Sequence, residues 1–246
     1  MKIEAVVLFS SNDKRFFKHC IENLLEASIK VKVVTYSHMW AGTPEDTQAL
    51  LECNELFKTN PNYQQYQIEW QPGKSPWYWE GLGRYLATQE VDDQADFILY
   101  IDVDEVIDPK KFTLWEKSQN LSQYDVIKLA NFWYWREPIY QAEQVEDSVV
   151  LCKTSLAKSI GMSEGGREIY FNSSTNRTKL GHSDPFIHHY SWVRTKEEML
   201  KKVLNWGHKD DSLDWISKIE EEFSRDFNGT DFIHKYSYNI VDNFIK

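Results

Sequence analysis

Four segments in the first half of the chain have the apolar pattern of buried strands. Glu4–Ser10 and Asp96–Ile101 are short, mostly apolar runs, and they are too short for helices. Ile29–Tyr36 alternates between apolar and polar positions before it becomes fully apolar, and Tyr66–Trp70 is the fourth candidate. Strands with this pattern are typical of the central sheet of an α/β protein.

Helical periodicity fills the intervals between these strands. Lys14–Ala27 has apolar residues three and four positions apart, and the polar residues 11–13 supply caps before it. A Thr-Pro pair at 43–44 predicts the start of a second helix, because proline is favoured in a first turn. Trp77–Glu90 has the spacing of a third helix. The resulting β-α-β-α-β-α-β order predicts a mostly parallel sheet.

The second half has a less regular pattern, which predicts a mixed part of the sheet followed by helices. A segment rich in Gly, Ser and Asn predicts a mobile loop or lid. Thr195 and Glu198 form a capping box at the start of a late helix. The predicted elements are a helix at Pro109–Trp115, strands at Tyr124–Trp135 and Asp147–Thr154, the loop at Gly161–Pro185, the late helix to about Trp206, and a helical, aromatic tail at Ser212–Lys246.

Three acids follow the fourth predicted strand directly. Asp102 and Asp104 are separated by one residue, and Glu105 is next. Open α/β sheets bind their ligands at the carboxyl ends of the strands, and two carboxylates in one cavity are costly unless a cation or a proton separates them. A divalent-metal site is therefore the first hypothesis. The alternative is that one of these acids only caps the helix that begins at Pro109.

Composition narrows the class of partner and the compartment. The chain has 246 residues, and acidic residues exceed basic ones by ten, so there is no overall basic field to attract nucleic acid. Its three cysteines are far apart and lack CxxC spacing, which predicts reduced thiols. No apolar run is long enough for a membrane span and the start does not have the pattern of a signal peptide, so we expect a protein that is cytoplasmic or peripheral to a membrane. Ten tryptophans would suit a sugar-binding cleft.

The chain resembles the GT-A-fold glycosyltransferases of family 2 in three features. These are the order of its elements, the Asp-Val-Asp at 102–104, and the late His-His-Tyr-Ser-Trp-Val-Arg at 188–194 with a Lys-rich helix after it. The resemblance covers most of the chain. It implies a Rossmann-like α/β domain over residues 1–246, with a mostly parallel central sheet and an antiparallel or mixed C-terminal part. Residues 1–106 would bind a nucleotide-diphosphate sugar, and residues 107–246 would bind the acceptor. The implied reaction is metal-dependent sugar transfer to a hydroxyl of a glycan, a lipid-linked saccharide or a protein; a nucleic-acid acceptor is disfavoured.

The resemblance also implies roles for particular residues. Asp102 would lie near the ribose and the metal, and Asp104 would bind the metal directly. His189 would supply a further ligand, although His188 is the alternative because neighbouring strand residues face opposite sides. Carboxylate and imidazole ligands favour Mn²⁺ over Mg²⁺ as the cofactor. The donor-binding residues implied by position are Ser10, Ser11, Asn12, Arg84, Asp102, Arg194 and Lys202.

The acceptor side is less clear from the sequence. Trp133 and Trp135 share one face of a predicted strand and could stack on an acceptor sugar, with core packing as the alternative. Glu137 and Asp184 are the candidates by position for a general base. The Glu-Asp motif usual in the family is not evident, and the second strand ends in residues 35–38 without the acid-rich turn common in family 2. The stereochemical outcome therefore stays open.

Two other classes of protein fit parts of the sequence. In a haloacid-dehalogenase-type phosphatase, Asp102 would attack phosphate and Asp104 would act as acid and base. That class also needs a later strand that ends in paired acids, and Asp210-Asp211 has no apolar strand before it. The second alternative is a sugar- or nucleotide-binding protein that has the fold without the activity.

Overall fold

The computed structural model describes residues 1–205 and 214–246. The strands are β1 (Ile3–Leu8), β2 (Lys30–Tyr36), β3 (Tyr63–Ile68), β4 (Phe97–Asp102), β5 (Glu105–Ile107), β6 (Val126–Trp135), β7 (Glu137–Lys153), β8 (Arg177–Leu180), β9 (Ile187–Trp192) and β10 (Tyr238–Ile240). The helices are α1 (Lys14–Glu26), α2 (Thr47–Phe57), α3 (Pro76–Gln89), α4 (Pro109–Ser118), α5 (Thr154–Ser159), α6 (Glu168–Asn172), α7 (Lys196–Asn205) and α8 (Trp215–Glu222).

All ten strands in the described residues belong to one sheet, whose main order is β3-β2-β1-β4-β7-β6-β9-β5. The first four strands are parallel and are connected through α1, α2 and α3. β7 is antiparallel to both β4 and β6, whereas β9 is parallel to β6. The predicted α/β class, with a parallel part followed by a mixed part, is confirmed.

Apolar residues cover both faces of the parallel part of the sheet. On one face, α1 buries Phe16, Phe17 and Ile21 completely, which follows from their helical spacing. On the other face, Trp79 and Ala87 of α3 pack against residues of β2 and β4. A third apolar cluster joins β6 and β9 to α7 and α8. Each fully buried aromatic or aliphatic side chain contributes about 1.5–3 kcal/mol relative to an exposed one.

The structure differs from the sequence-based prediction mainly after residue 160. The predicted loop at Gly161–Pro185 contains α6 and β8, so the prediction of an irregular segment is wrong there. The predicted helical tail is wrong beyond Glu222, where the chain forms turns and then β10. The end of the late helix near Trp206 and the Asp210-Asp211 pair lie outside the described residues.

Asp231 explains why the tail is not a continuous helix. This buried carboxylate accepts hydrogen bonds from the backbone N–H groups of Ile233, His234 and Tyr236, at 2.7, 2.6 and 3.0 Å, and from the Tyr238 hydroxyl at 3.0 Å. Side-chain acceptors of this kind compete with helical hydrogen bonding and stabilise turns.

In the described residues, no helix has the length and apolar character needed to cross a membrane.

Gly83 of α3 lies against Tyr36 of β2, and this contact gives a stability prediction. The Tyr36 hydroxyl donates to the Trp79 carbonyl at 2.6 Å, and a Cβ added at Gly83 would lie 1.9 Å from that hydroxyl oxygen. We expect Gly83→Ala to lower the free energy of unfolding by about 1–3 kcal/mol, because the overlap outweighs the better helix propensity of alanine. Urea denaturation measures the change.

Gly161 provides the matched control, since no atom lies within 4 Å of a Cβ added there. We expect Gly161→Ala to change the free energy of unfolding by less than about 0.5 kcal/mol. Equal stabilities of the two variants would contradict the close approach of α3 to β2.

Candidate active site

A cavity of about 680 Å³ opens at the carboxyl ends of β1 and β4. The two strands are parallel neighbours with Leu8 opposite Asp102, so the residues that follow β1 lie beside the acids that follow β4. This is the position at which α/β sheets bind ligands. The cavity brings together eight of the predicted site residues: Ser10, Asn12, Arg84, Asp102, Asp104, Trp133, His189 and Lys202.

The short strand β5 explains how residues distant in the sequence meet at Asp104. The chain turns directly after Asp102, and β5 pairs antiparallel with β9, with Glu105 opposite His189. The Asp104 carbonyl accepts from the Tyr190 N–H at 2.7 Å, which holds the turn against β9. The predicted proximity of Asp104 to His189 therefore has a structural cause in strand pairing.

Asp104 is 6% exposed and is surrounded by cationic or ionisable groups. Its Oδ2 lies 3.2 Å from Lys202 Nζ and 3.4 Å from an Arg194 guanidinium nitrogen, and its Oδ1 lies 3.8 Å from His189 Nε2. Burial raises the pKa of Asp104, but Lys202, His189 and Arg194 outweigh burial and hold that pKa well below its usual range. Asp104 is therefore a carboxylate at neutral pH.

Asp102 is more exposed and faces two arginines. Its carboxylate oxygens lie 3.0 Å from Arg84 and 3.5 Å from Arg167, and Arg84 also pairs with Glu80. Burial lowers the pKa of Arg84, whereas Glu80 and Asp102 raise it by more, so it ends above its usual value. Arg84 is thus a buried cation that orients Asp102.

Glu105 is completely buried and forms a second layer behind Asp102 and His189. Its carboxylate accepts from the Asp102 N–H at 2.8 Å, from Ser148 Oγ at 2.6 Å and from two nitrogens of Arg167 at 2.6 and 2.7 Å. Sequence reasoning missed the part played by Arg167, because nothing local distinguishes an arginine inside a polar, Gly-rich segment. Glu105 was visible as the third acid, but its burial was not.

The remaining predicted donor residues have structural contacts. Ser10 Oγ accepts from the Asn12 N–H at 3.4 Å, and the Ser11 N–H donates to Glu45 at 2.9 Å. The Arg194 side chain is fully buried; it donates to the carbonyls of Ser191 at 2.8 Å and Asn12 at 2.9 Å and pairs with Asp13. Neither Ser11 nor Arg194 lines the cavity. Arg194 instead ties the residues after β1 to β9 and Asp104.

The predicted acceptor and base residues are separated in space. Trp133 lines the cavity, whereas Trp135 is buried and donates from Nε1 to Glu222 at 3.1 Å. Glu137 is exposed, and Asp184 forms an exposed ion pair with Lys111 at 2.8 Å; neither lines the cavity. In the described part of the chain, Glu168 and His234 line the cavity without having been predicted.

The two neighbouring histidines face different surroundings. His188 Nδ1 lies 2.7 Å from the Tyr134 hydroxyl, and its ring stacks on Phe244 with centroids 4.0 Å apart. Burial lowers the pKa of His188 to about 4, so this imidazole is neutral at neutral pH. Of these two histidines, His189 is the one that faces the cavity.

The helix α4 is capped by Asp108 and not by Asp102, Asp104 or Glu105. The Asp108 carboxylate accepts from the N–H groups of Lys110 and Lys111, each at 3.0 Å.

The chemistry of the Asp104 and His189 pair fits a divalent cation. Two atoms that bind one ion through bonds of about 2.1 Å can lie at most about 4.2 Å apart, and Asp104 Oδ1 and His189 Nε2 are 3.8 Å apart. His189 Nδ1 is buried without a hydrogen-bond partner and lies 3.8 Å from Glu105, as in the carboxylate–histidine arrangement behind many metal ligands. Across the residues that the structure describes, no three or more His, Cys, Asp or Glu side chains form a metal cluster. The site therefore fits a divalent cation held by two protein ligands, Asp104 and His189. Asp102 pairs with Arg84 and Arg167 instead.

Comparisons with known proteins support the fold assignment. No protein-family model and no curated protein sequence matches the chain. S. aureus TarS 1–349 has a similar crystal structure, with a TM-score of 0.50 and 17% identity over 92% of this chain and 73% of that one. Its complex with UDP-GlcNAc gives 0.47 and 14% over 91% and 73%. The glycosyltransferase GlyE of Streptococcus pneumoniae TIGR4 gives 0.45 and 12% over 91% and 64%. The likeness to TarS shows a shared α/β fold.

Proposed function

We propose that the protein is a metal-dependent glycosyltransferase of the GT-A type. It moves a sugar from a nucleotide-diphosphate sugar to a hydroxyl of a glycan, a lipid-linked saccharide or a protein. The observation that carries this proposal is the Asp104–His189 pair beside the cationic side chains of Lys202, Arg84 and Arg167, all at one end of the parallel strands. A diphosphate leaving group needs positive charge of this kind.

The proposed roles follow from the contacts of each residue. Asp104 and His189 would hold the divalent cation, Mn²⁺ or Mg²⁺, and the bound cation would supply positive charge to the departing diphosphate. Lys202, beside Asp104, and Arg167, beside Asp102, line the cavity and would bind phosphate oxygens. Ser10, Asn12 and Asp102 face the nucleoside. Trp133 offers an apolar surface to the acceptor, as aromatic rings do in sugar sites.

A screen of nucleotide sugars with Mn²⁺ tests this function. UDP-GlcNAc is present in a TarS 1–349 complex, so UDP-sugars are the first donors to test. We expect one donor to release nucleotide diphosphate, measured by ion-pair chromatography, and release to fall at least about 10-fold in EDTA and to return with added Mn²⁺. A metal that neutralises the leaving group accounts for that loss.

The same assay separates the alternatives. Hydrolysis of a simple phosphomonoester, with a covalent phosphate on Asp102, would indicate the phosphatase class. Saturable donor binding by calorimetry with no release and no transfer would indicate a binding protein. Either result would contradict the proposed function. Release of nucleotide diphosphate that EDTA does not slow would show that the reaction does not depend on a metal.

A further inference from the structure

Transfer to a hydroxyl requires a group that accepts the hydroxyl proton, and the cavity holds an unassigned histidine. His234 lines the cavity on the side of Trp133. It lies between α8 and β10, in a segment whose aromatic residues do not predict a catalytic role from sequence. The two bases predicted by position, Glu137 and Asp184, lie away from this cavity.

Three neighbours fix the orientation of the His234 ring. Its Nε2 lies 3.6 Å from Glu146 Oε1 on β7, and its plane stacks on Tyr236 with centroids 5.0 Å apart and an interplanar angle of 18°. The ring meets Trp133 edge to face, with centroids 5.0 Å apart. With Nε2 turned toward Glu146, the opposite nitrogen Nδ1 is the one left for a ligand. An imidazole with a carboxylate facing one of its nitrogens has the arrangement of a histidine base and its orienting group.

The backbone that carries His234 is also held firmly. Asp231 accepts hydrogen bonds from the N–H groups of Ile233 and His234, and β10 pairs with the central strand β7 on the far side of the turn. Because β7 also carries Glu146, the histidine and its carboxylate are fixed to the same strand. Side chains placed on a rigid support in this way can keep catalytic geometry.

The position of His234 relative to the donor side of the cavity suits proton transfer. Both His234 and His189 contact Trp133, and each imidazole meets the indole edge to face at 5.0 Å between centroids. At most about 10 Å therefore separates the two imidazole centroids. The cavity that both imidazoles and Trp133 line can hold an acceptor hydroxyl and an anomeric carbon within reach of the cation-binding pair and the base.

We propose that His234 is the general base of the transfer and that Glu146 positions it; this inference rests on the proposed function. Nδ1 takes the proton of the acceptor hydroxyl as the hydroxyl oxygen bonds to the anomeric carbon. The bond from that carbon to the diphosphate oxygen breaks, and its electron pair leaves with the diphosphate. Glu146 stabilises the imidazolium that results. This single displacement inverts the anomeric configuration.

The test compares His234→Gln with His182→Gln, using the donor found in the screen and an acceptor whose addition accelerates release of nucleotide diphosphate from that donor. His182 lies 3.6 Å from Asp147, the same separation as in the His234–Glu146 pair, and it is outside the cavity. We expect His234→Gln to lower kcat for transfer by about 100-fold or more, with the KM for the donor and its calorimetric affinity unchanged. His182→Gln should behave as the unmodified protein. The anomeric configuration of the product, read by NMR, should be opposite to that of the donor.

Two further variants keep the inference testable if one substitution perturbs folding. Added imidazole should restore part of the transfer by His234→Ala, because the cavity left by the side chain faces the acceptor. Glu146→Gln should lower kcat by less than His234→Gln does, since it removes only the positioning group. Transfer that survives His234→Gln within about threefold would overturn the inference, as would a retained anomeric configuration.

Glu168 is another unpredicted side chain in the cavity that could accept a proton; it pairs with Lys128 at 2.5 Å. A collapse of kcat in Glu168→Gln together with normal transfer by His234→Gln would assign the base to Glu168 and reject His234. These results are distinct from failure of the proposed function, in which the unmodified protein turns over no nucleotide sugar.

Discussion

Asp104→Asn is expected to lower the kcat for nucleotide-diphosphate release by at least about 100-fold, the scale found when one electrostatic contact to a developing charge is removed. The substitution preserves the shape of the side chain but removes the negative charge that holds a cation beside His189. It also leaves Lys202 and Arg194 facing a neutral amide at 3.2 and 3.4 Å. Steady-state release at saturating donor and Mn²⁺ measures the effect. Calorimetry should show weaker Mn²⁺ binding in the presence of nucleotide diphosphate.

Asp108→Asn is the matched control for this variant. Asp108 is close in sequence but caps α4 and does not line the cavity, and asparagine can accept the same backbone hydrogen bonds. We expect its release rate and Mn²⁺ affinity to equal those of the unmodified protein. Unchanged turnover in Asp104→Asn would remove Asp104 from the metal site, whatever the behaviour of the control.

Arg194→Met is expected to lower the free energy of unfolding by about 3–5 kcal/mol, because it removes one partner from a buried group of charges. Arg194 is fully buried, forms ion pairs with Asp13 and Asp104, and donates hydrogen bonds to two backbone carbonyls. Methionine fills much of the volume but leaves both carboxylates without this cation and removes one donor from each carbonyl, although the Ser191 carbonyl keeps Lys202 Nζ at 3.0 Å. Denaturation in urea at pH 7 measures the change. Arg194→Lys should recover only part of it, since one ammonium cannot reach all of these acceptors.

Arg225→Met is the matched control, because it replaces an exposed arginine by the same residue. Arg225 pairs with Glu221 on the surface, with both side chains more than half exposed, and exposed pairs of this kind contribute little. Its stability should be unchanged. If Arg194→Met were as stable as Arg225→Met, Arg194 would not be the link between β1 and β9 that its contacts indicate.

The sequence predicted the part of the fold in which the pattern is local. The β-α-β order appears in hydrophobic periodicity, and Asp102 and Asp104 stand out because acids directly follow an apolar strand. The contact of Asp104 with His189 depends on β5, a strand of three residues that is too short for periodicity to reveal. The cation at Arg167 and the base at His234 depend on where later segments pack. Spacing in one chain does not contain that information.

The tail shows a second limit of periodicity. Its aromatic residues have the spacing of a helix, but the Asp231 carboxylate binds N–H groups that a helix would need. Hydrogen bonding by one side chain therefore decided the structure over several residues. The same competition placed His234 at the cavity, so the error in the predicted tail and the missed candidate base have one origin.

The buried carboxylate of Glu105 has a consequence for cooperativity. It joins β5 to the segment before α6 through Arg167 and to β7 through Ser148, which are distant parts of the chain. If the α6 segment opened alone, Glu105 would lose its guanidinium partner while still enclosed by protein. Such an intermediate would contain a buried carboxylate without its cationic partner, which is strongly destabilising. Opening of the α6 segment is therefore linked energetically to disruption of the cavity, and amide hydrogens in that segment and in β5 should exchange with solvent as one unit.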